Sequence, residues 1–157
     1  MKLTLATILI GILPFNLCAL DQSFGGIRLL DGYKVKKGWA VDAATWTIFR
    51  EGGLSIEFEA GMNEGLWADA KEKDKYLWYR EHVVNGHKVM LALIKPGLKT
   101  VWEPDNPRSP ELGNILLVTF PIGIQTEHTA NFQAEIINEQ ELADALLMIL
   151  TFDPAKL

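Results

Sequence analysis

Between residues 54 and 60 the chain alternates without interruption: Leu54, Ile56, Phe58 and Ala60 are apolar, while Ser55, Glu57 and Glu59 are polar. A period of two with one polar face is the pattern of a half-buried antiparallel strand. Just before it, Thr45-Trp46-Thr47-Ile48-Phe49-Arg50 is rich in β-branched and aromatic residues, and Glu51-Gly52-Gly53 interrupts the two runs. Together they predict a hairpin. A shorter strand is expected around 33–35, between Gly25-Gly26 and the basic group Lys34, Lys36 and Lys37.

The next pattern reads as a helix. Asp69 stands three residues before Glu72, the spacing of a capping box, which predicts a helix over 69–80. Ala70, Leu77 and Trp78 would face inward, and Lys71, Lys73, Asp74 and Lys75 outward. Val84-Asn85-Gly86-His87 follows, and Asn-Gly is the strongest short hairpin signal, since both residues accept the positive φ of a type I′ turn. Residues 90–94 are apolar on both faces and predict a strand inside the sheet, which Pro96-Gly97 would turn toward 99–102. Prolines at 104, 107 and 110 stiffen a loop over 103–114. Ile115-Leu116-Leu117-Val118-Thr119-Phe120 predicts a buried strand stopped by Pro121, and 131–137 predicts another. Asn138 with Glu141 caps a final helix whose inner stripe is Leu142, Ala145, Leu146 and Ile149, and Asp153-Pro154 ends the fold. The expected class is α+β: one domain over 20–157, a mostly antiparallel sheet packed with two main helices.

Residues 1–19 stand apart from this domain. Lys2 precedes an apolar run from Leu3 to Leu13, broken by Pro14, and Leu17-Cys18-Ala19 follows. The run is shorter than the ~18–20 residues that a bilayer core requires, so it reads as a signal peptide and not as a membrane span. Cleavage after Ala19 would place the working chain in the periplasm or the secreted fraction, with no membrane insertion afterwards. The competing cut makes Cys18 a lipid-modified first residue, but a lipoprotein signal takes a small residue where this chain has Leu17. Cys18 is the single cysteine, so a chain beginning at Leu20 has no thiolate, disulfide or redox pair and rests on packing alone. The whole chain carries a charge of −5, and losing Lys2 with the leader makes it more acidic. Acidity of that sign, with no basic stripe, excludes nucleic acid as a partner.

The order of elements resembles the PsbP-like α/β fold, a group that includes DcrB-type periplasmic proteins. The residues that carry the likeness are the Val84-Asn85-Gly86 turn after the first helix, the strand end at 117–121, and 143–152 running to the terminus. The resemblance implies an α/β sandwich and a compact, usually non-enzymatic accessory protein. It implies no functional residue.

Reactive chemistry has little to start from. The three serines after the leader, Ser23, Ser55 and Ser109, lie outside any nucleophile-elbow sequence. His82 and His87 flank the Asn-Gly turn and would be diagonal neighbours on one sheet face, with His128 as a third ligand only if its loop folds back. No metal-motif spacing joins them, so neither a metal nor a cofactor is expected. Glu57 and Glu59 share a strand face, the arrangement of a solvated sheet more often than of a glycosidase pair. Gly61 and Gly65 lack the lysine of a phosphate loop.

Contact surfaces fit the sequence better. Five tryptophans fall between Trp39 and Trp102. Trp67 sits in the 61–67 loop with Met62 and Leu66, and Trp102 stands beside the proline-stiffened stretch carrying Asp105, Arg108 and Glu111. A rigid loop loses little entropy on docking, and Trp and Arg are typical anchors. Trp102, Asp105, Arg108, Glu111 and Trp67 are therefore the candidate partner-binding residues. The expected function is non-catalytic binding of an envelope protein. An inhibitor or immunity protein that blocks a toxin or enzyme, and a small cell-envelope hydrolase, are the alternatives.

Overall fold

Seven strands hold about half of the residues described by the computed structural model, which are 25–39, 43–62, 65–94, 113–122 and 128–157. They are β1 (Lys34–Lys37), β2 (Ala43–Phe49), β3 (Ser55–Met62), β4 (Tyr76–Val84), β5 (His87–Ile94), β6 (Asn114–Ile122) and β7 (His128–Ile136). All pair antiparallel in one sheet of order β1-β2-β3-β7-β6-β5-β4. The β2–β3 hairpin pairs Phe49 with Ser55 and Ile48 with Ile56. The β4–β5 hairpin pairs Val84 with His87 around Asn85 (φ 51°) and Gly86 (φ 82°), both in the left-handed region that a type I′ turn requires. Helix α1 (Glu139–Ile149) begins at Asn138, whose side chain accepts a hydrogen bond from the Glu141 backbone N–H.

Alternation along the strands splits the side chains between two faces. The main core collects Ile48, Ile56, Phe58, Val89, Leu91, Leu116, Val118, Phe120 and Phe132 on one face, covered by Ala145, Met148 and Ile149 of α1 and by Phe152. The rings of Phe58, Phe120 and Phe132 all lie within 5.6 Å of Phe152, counted between centroids. These contacts add edge-to-face attraction to the burial of four fully packed phenylalanines. Asp144 of α1 is buried, accepting from Tyr33 Oη at 2.9 Å and Gln140 Nε2 at 2.7 Å, with Arg50 Nη1 at 3.4 Å. That cluster ties the opening segment and the end of β2 to the helix.

The second face changes character across the sheet. On β5 and β6, Met90, Ala92, Ile115 and Leu117 form a smaller apolar cluster with Ala68 and Tyr76. On β2, β3 and β7 the same face carries Thr45, Thr47, Glu57, Glu59, Asn131 and Gln133. Half of this face is therefore polar, which explains the strict alternation of β3 and the mixed one of β5 and β6.

This is a largely β architecture, and it corrects the expected α+β fold with two main helices. Only Ala70–Lys75 coils after Asp69, as a 3₁₀ segment in which Glu72 leaves helical geometry at φ −108°, ψ 19°. Asp69 does cap it, accepting from the Lys71 N–H at 2.9 Å, but Glu72 pairs with Lys75 and does not close the box. The reason lies in the residues that follow. Tyr76-Leu77-Trp78-Tyr79-Arg80-Glu81-His82-Val83-Val84 is aromatic and β-branched, and it feeds directly into the Asn85-Gly86 turn, so pairing with β5 takes the segment as a strand. Leu77, expected inside a helix, is half exposed on that strand. The Asn85-Gly86 turn, expected to follow a helix, follows strand β4 instead. Two smaller differences remain. β6 runs through Pro121 to Ile122, and the inner stripe of α1 includes Met148, with Leu142 and Leu146 only half buried.

Candidate functional site

Of the five residues expected to bind a partner, Trp67 lies in the described part of the chain, and Trp102, Asp105, Arg108 and Glu111 lie outside the described residues. Trp67 is half buried against the apolar cluster of the second face. Its backbone is held by a buried polar group on the sheet. Asn131, wholly buried on β7, accepts from the Trp67 N–H at 3.3 Å and from Thr119 Oγ1 at 2.7 Å. Its amide nitrogen donates to the Gly65 carbonyl at 3.1 Å and to Thr129 Oγ1 at 3.0 Å. Thr119 Oγ1 in turn accepts from the Ala68 N–H, and Tyr76 Oη accepts from the Asp69 N–H, both at 3.0 Å. Every polar group of Asn131 is engaged, so residues 65–69 are fixed on the sheet surface and hold Trp67 in one place.

The sheet's two outer strands differ sharply. β1 has four residues, three of them lysine, and Trp39 just beyond it is 91% exposed. Short length and lysine are the usual means of keeping a sheet edge from pairing with another chain. β4 is nine residues long, contains neither proline nor glycine, and presents Val83 at 74% and Leu77 at 50% exposure. A register shift between Tyr76 and Trp78 places a bulge at Leu77, and the ladder is regular from Trp78 to Val84. The outer side of β4 has no neighbouring strand among the described residues.

Charges on β4 are arranged unevenly. Glu81 accepts from Tyr79 Oη at 2.8 Å and pairs with Lys88 Nζ at 2.9 Å. Lys88 and then Tyr79 hold the Glu81 carboxyl below its ordinary range, while burial and Glu81 push the Tyr79 phenol up. Lys73 lies over the Tyr79 ring at 4.7 Å. Glu81 is thus already neutralised. Arg80, exposed on the other face of the strand, donates to the Tyr79 carbonyl at 2.8 Å, and no ion pair with a described carboxylate engages it. Leu77 and Arg80 escape the sequence reading because they fall at the end of the expected helix, and Val83 because it reads only as an arm of the hairpin. The signal that finds them is the unbroken run of aromatic and β-branched residues leading into Asn-Gly.

His82 and His87 do share the helix-side face, opposite Val89 and Val84 respectively. His82 is exposed, and His87 Nε2 lies 3.8 Å from Asp153 Oδ1. Among the described residues no three His, Cys, Asp or Glu side chains converge on a metal position. Among the described residues no helix is long and apolar enough to cross a membrane. Compared with family models, with curated proteins and with solved structures, the chain matches none of them.

Proposed function

We propose that this chain is a non-catalytic binding domain that works outside the cytoplasm and engages a protein of the cell envelope. One observation carries the reading: among the described residues the sheet blocks one edge with lysines and leaves the other long, regular from Trp78 to Val84, and apolar at Val83, with Leu77 exposed at its bulge. A sheet edge of that kind is a template for another chain, and proteins without use for one suppress it. The acidic chain and the leader-like residues 1–19 supply the expected location.

Site-specific photo-crosslinking in the envelope fraction of the source cell tests this. A crosslinker at position 83 should trap one discrete protein, and a crosslinker at position 36 on β1 should not. Reversing Asp105 and Glu111 to lysine in the same experiment reports on the 103–114 loop: lost trapping would move the contact there. Absence of any discrete product from either region, or turnover of an envelope polymer by the purified chain, would sink the binding reading.

A further inference from the structure

We infer that β4 binds its partner by strand addition, taking an extended segment that pairs antiparallel with Trp78–Val84 and carries a carboxylate flanked by two apolar residues. This rests on the binding function proposed above and specifies its chemistry.

The choice of an extended segment follows from what β4 offers. Its outer backbone N–H and C=O groups form a row that only another strand matches in spacing. The sheet is antiparallel throughout, and antiparallel pairing is slightly the more stable per residue. The bulge at Leu77 limits regular pairing to the seven positions 78–84.

The side chains set the pattern of the incoming strand. Residues directly opposite in an antiparallel pair share a face and touch. An apolar residue opposite Val83 covers the most exposed aliphatic side chain on the strand. Three positions further along the partner lies opposite Arg80, where a carboxylate meets the one charge on β4 without an opposite partner among the described residues. Past the regular ladder, at the bulge, half-exposed Leu77 leaves an apolar side chain for a second apolar residue of the partner to cover. The sequence pattern is apolar-x-x-acidic, followed by a second apolar residue whose spacing is set by the bulge.

The same charges oppose a second copy of this chain in the two central registers of the strand. Antiparallel self-pairing that keeps the sheet faces aligned places the residue at the twofold axis opposite its own copy. Centred on Arg80, which also brings Leu77 opposite Val83, the pairing sets arginine against arginine. One step along, it sets Glu81 against Glu81. Like charges directly opposite oppose pairing.

Selection from a displayed library of ten-residue linear peptides on the purified domain tests this. Enriched peptides are expected to carry the pattern, and the best should bind at least tenfold more weakly to Arg80→Glu and to Val83→Asp. Both positions are exposed, so the variants should keep the wild-type melting temperature. N-methylation of alternate peptide amides should abolish binding, and bound peptide should slow hydrogen exchange in 78–84. Peptides whose binding ignores both substitutions, or a library that yields no binder, would overturn strand addition at β4. So would concentration-dependent dimerisation of the wild type that Val83→Asp removes. A crosslink from position 83 to an envelope protein alongside any of these results would leave the binding function standing and remove only this mode.

Discussion

Tyr33 and Asp144 are 111 residues apart in sequence, and the phenol of one donates to the carboxylate of the other at 2.9 Å in a buried position. The contact joins the segment before β1 to the second turn of α1, and the guanidinium of Arg50 closes over it, 5.0 Å from the Tyr33 ring centre. Burial, then the hydrogen bond to Asp144, pushes the Tyr33 phenol from 10.0 up to about 12. A folded-state pKa above the unfolded one means that the contribution to stability is complete below pH 10 and lost as pH rises through 12. Tyr33→Phe should lower stability by roughly 1–3 kcal/mol at neutral pH and remove this alkaline loss. Urea midpoints between pH 8 and pH 12 decide it, and equal alkaline slopes in the two proteins would disprove the assignment.

The acid side reports on the other partner. Hydrogen bonds from Tyr33 and then Gln140, aided by Arg50, hold the Asp144 carboxyl below its ordinary value. A depressed folded-state pKa gives stability that is present above the unfolded value of 3.8 and lost as pH falls through the lowered one. Asp144→Asn should therefore be less stable than wild type at pH 7 and show a flatter acid limb. Thermal melts from pH 5 to pH 2 should converge; parallel curves would show that Asp144 does not carry the acid dependence.

Asn131→Ala strips four hydrogen bonds from the anchor of residues 65–69 and leaves the Trp67 N–H and the Gly65 carbonyl without it. Each buried group so abandoned costs about 1–3 kcal/mol. A total loss of roughly 2–4 kcal/mol is expected in chemical denaturation. Exchange of the Trp67 and Ala68 amides should accelerate beyond what the global loss explains. Unchanged local exchange would mean that the loop is held by its apolar contacts alone.

Gly86 at φ 82° has nothing within 4 Å of where a Cβ would stand, so a substitution there meets strain without collision. Gly86→Val should cost roughly 1–3 kcal/mol. Gly86→Asn should cost less, because asparagine tolerates left-handed geometry. Equal costs in equilibrium unfolding would show that the strain argument does not govern this turn.

How much of this was legible in the sequence depends on whether local and long-range preferences agreed. In 54–60, alternation, turn residues and pairing all point the same way, and β3 follows the pattern position by position. At Asn85-Gly86 the required φ values admit few other residues, so the turn reads directly. At 69–80 they disagreed. A genuine cap at Asp69 and a charged run favour a helix, while Tyr76 onward favours a strand, and pairing with β5 decided between them. Isolated capping energy of about 1 kcal/mol does not outweigh a nine-residue ladder. The edge itself was hidden for a further reason: which strands end a sheet is set by the order β3-β7-β6-β5-β4, and that order is not written in any single segment. Asn131 was invisible likewise, since its partners are at 65, 67, 119 and 129.

The seam between β3 and β7, where Ile56 lies beside Ala134 and Phe58 beside Phe132, also orders events in time. It joins two meanders, β1–β3 and β4–β7, each built from neighbours in sequence. During synthesis β3 is complete long before its partner exists, and until the last strand emerges it is itself an outer strand, with Phe58 uncovered and only the hairpin with β2 to occupy it. Chains that stop after Ile122 keep that state permanently. Their hazard is therefore intermolecular pairing through a segment that the finished protein hides in the middle of its sheet, and light scattering of a chain ended at Ile122 should reveal aggregation that the full chain escapes.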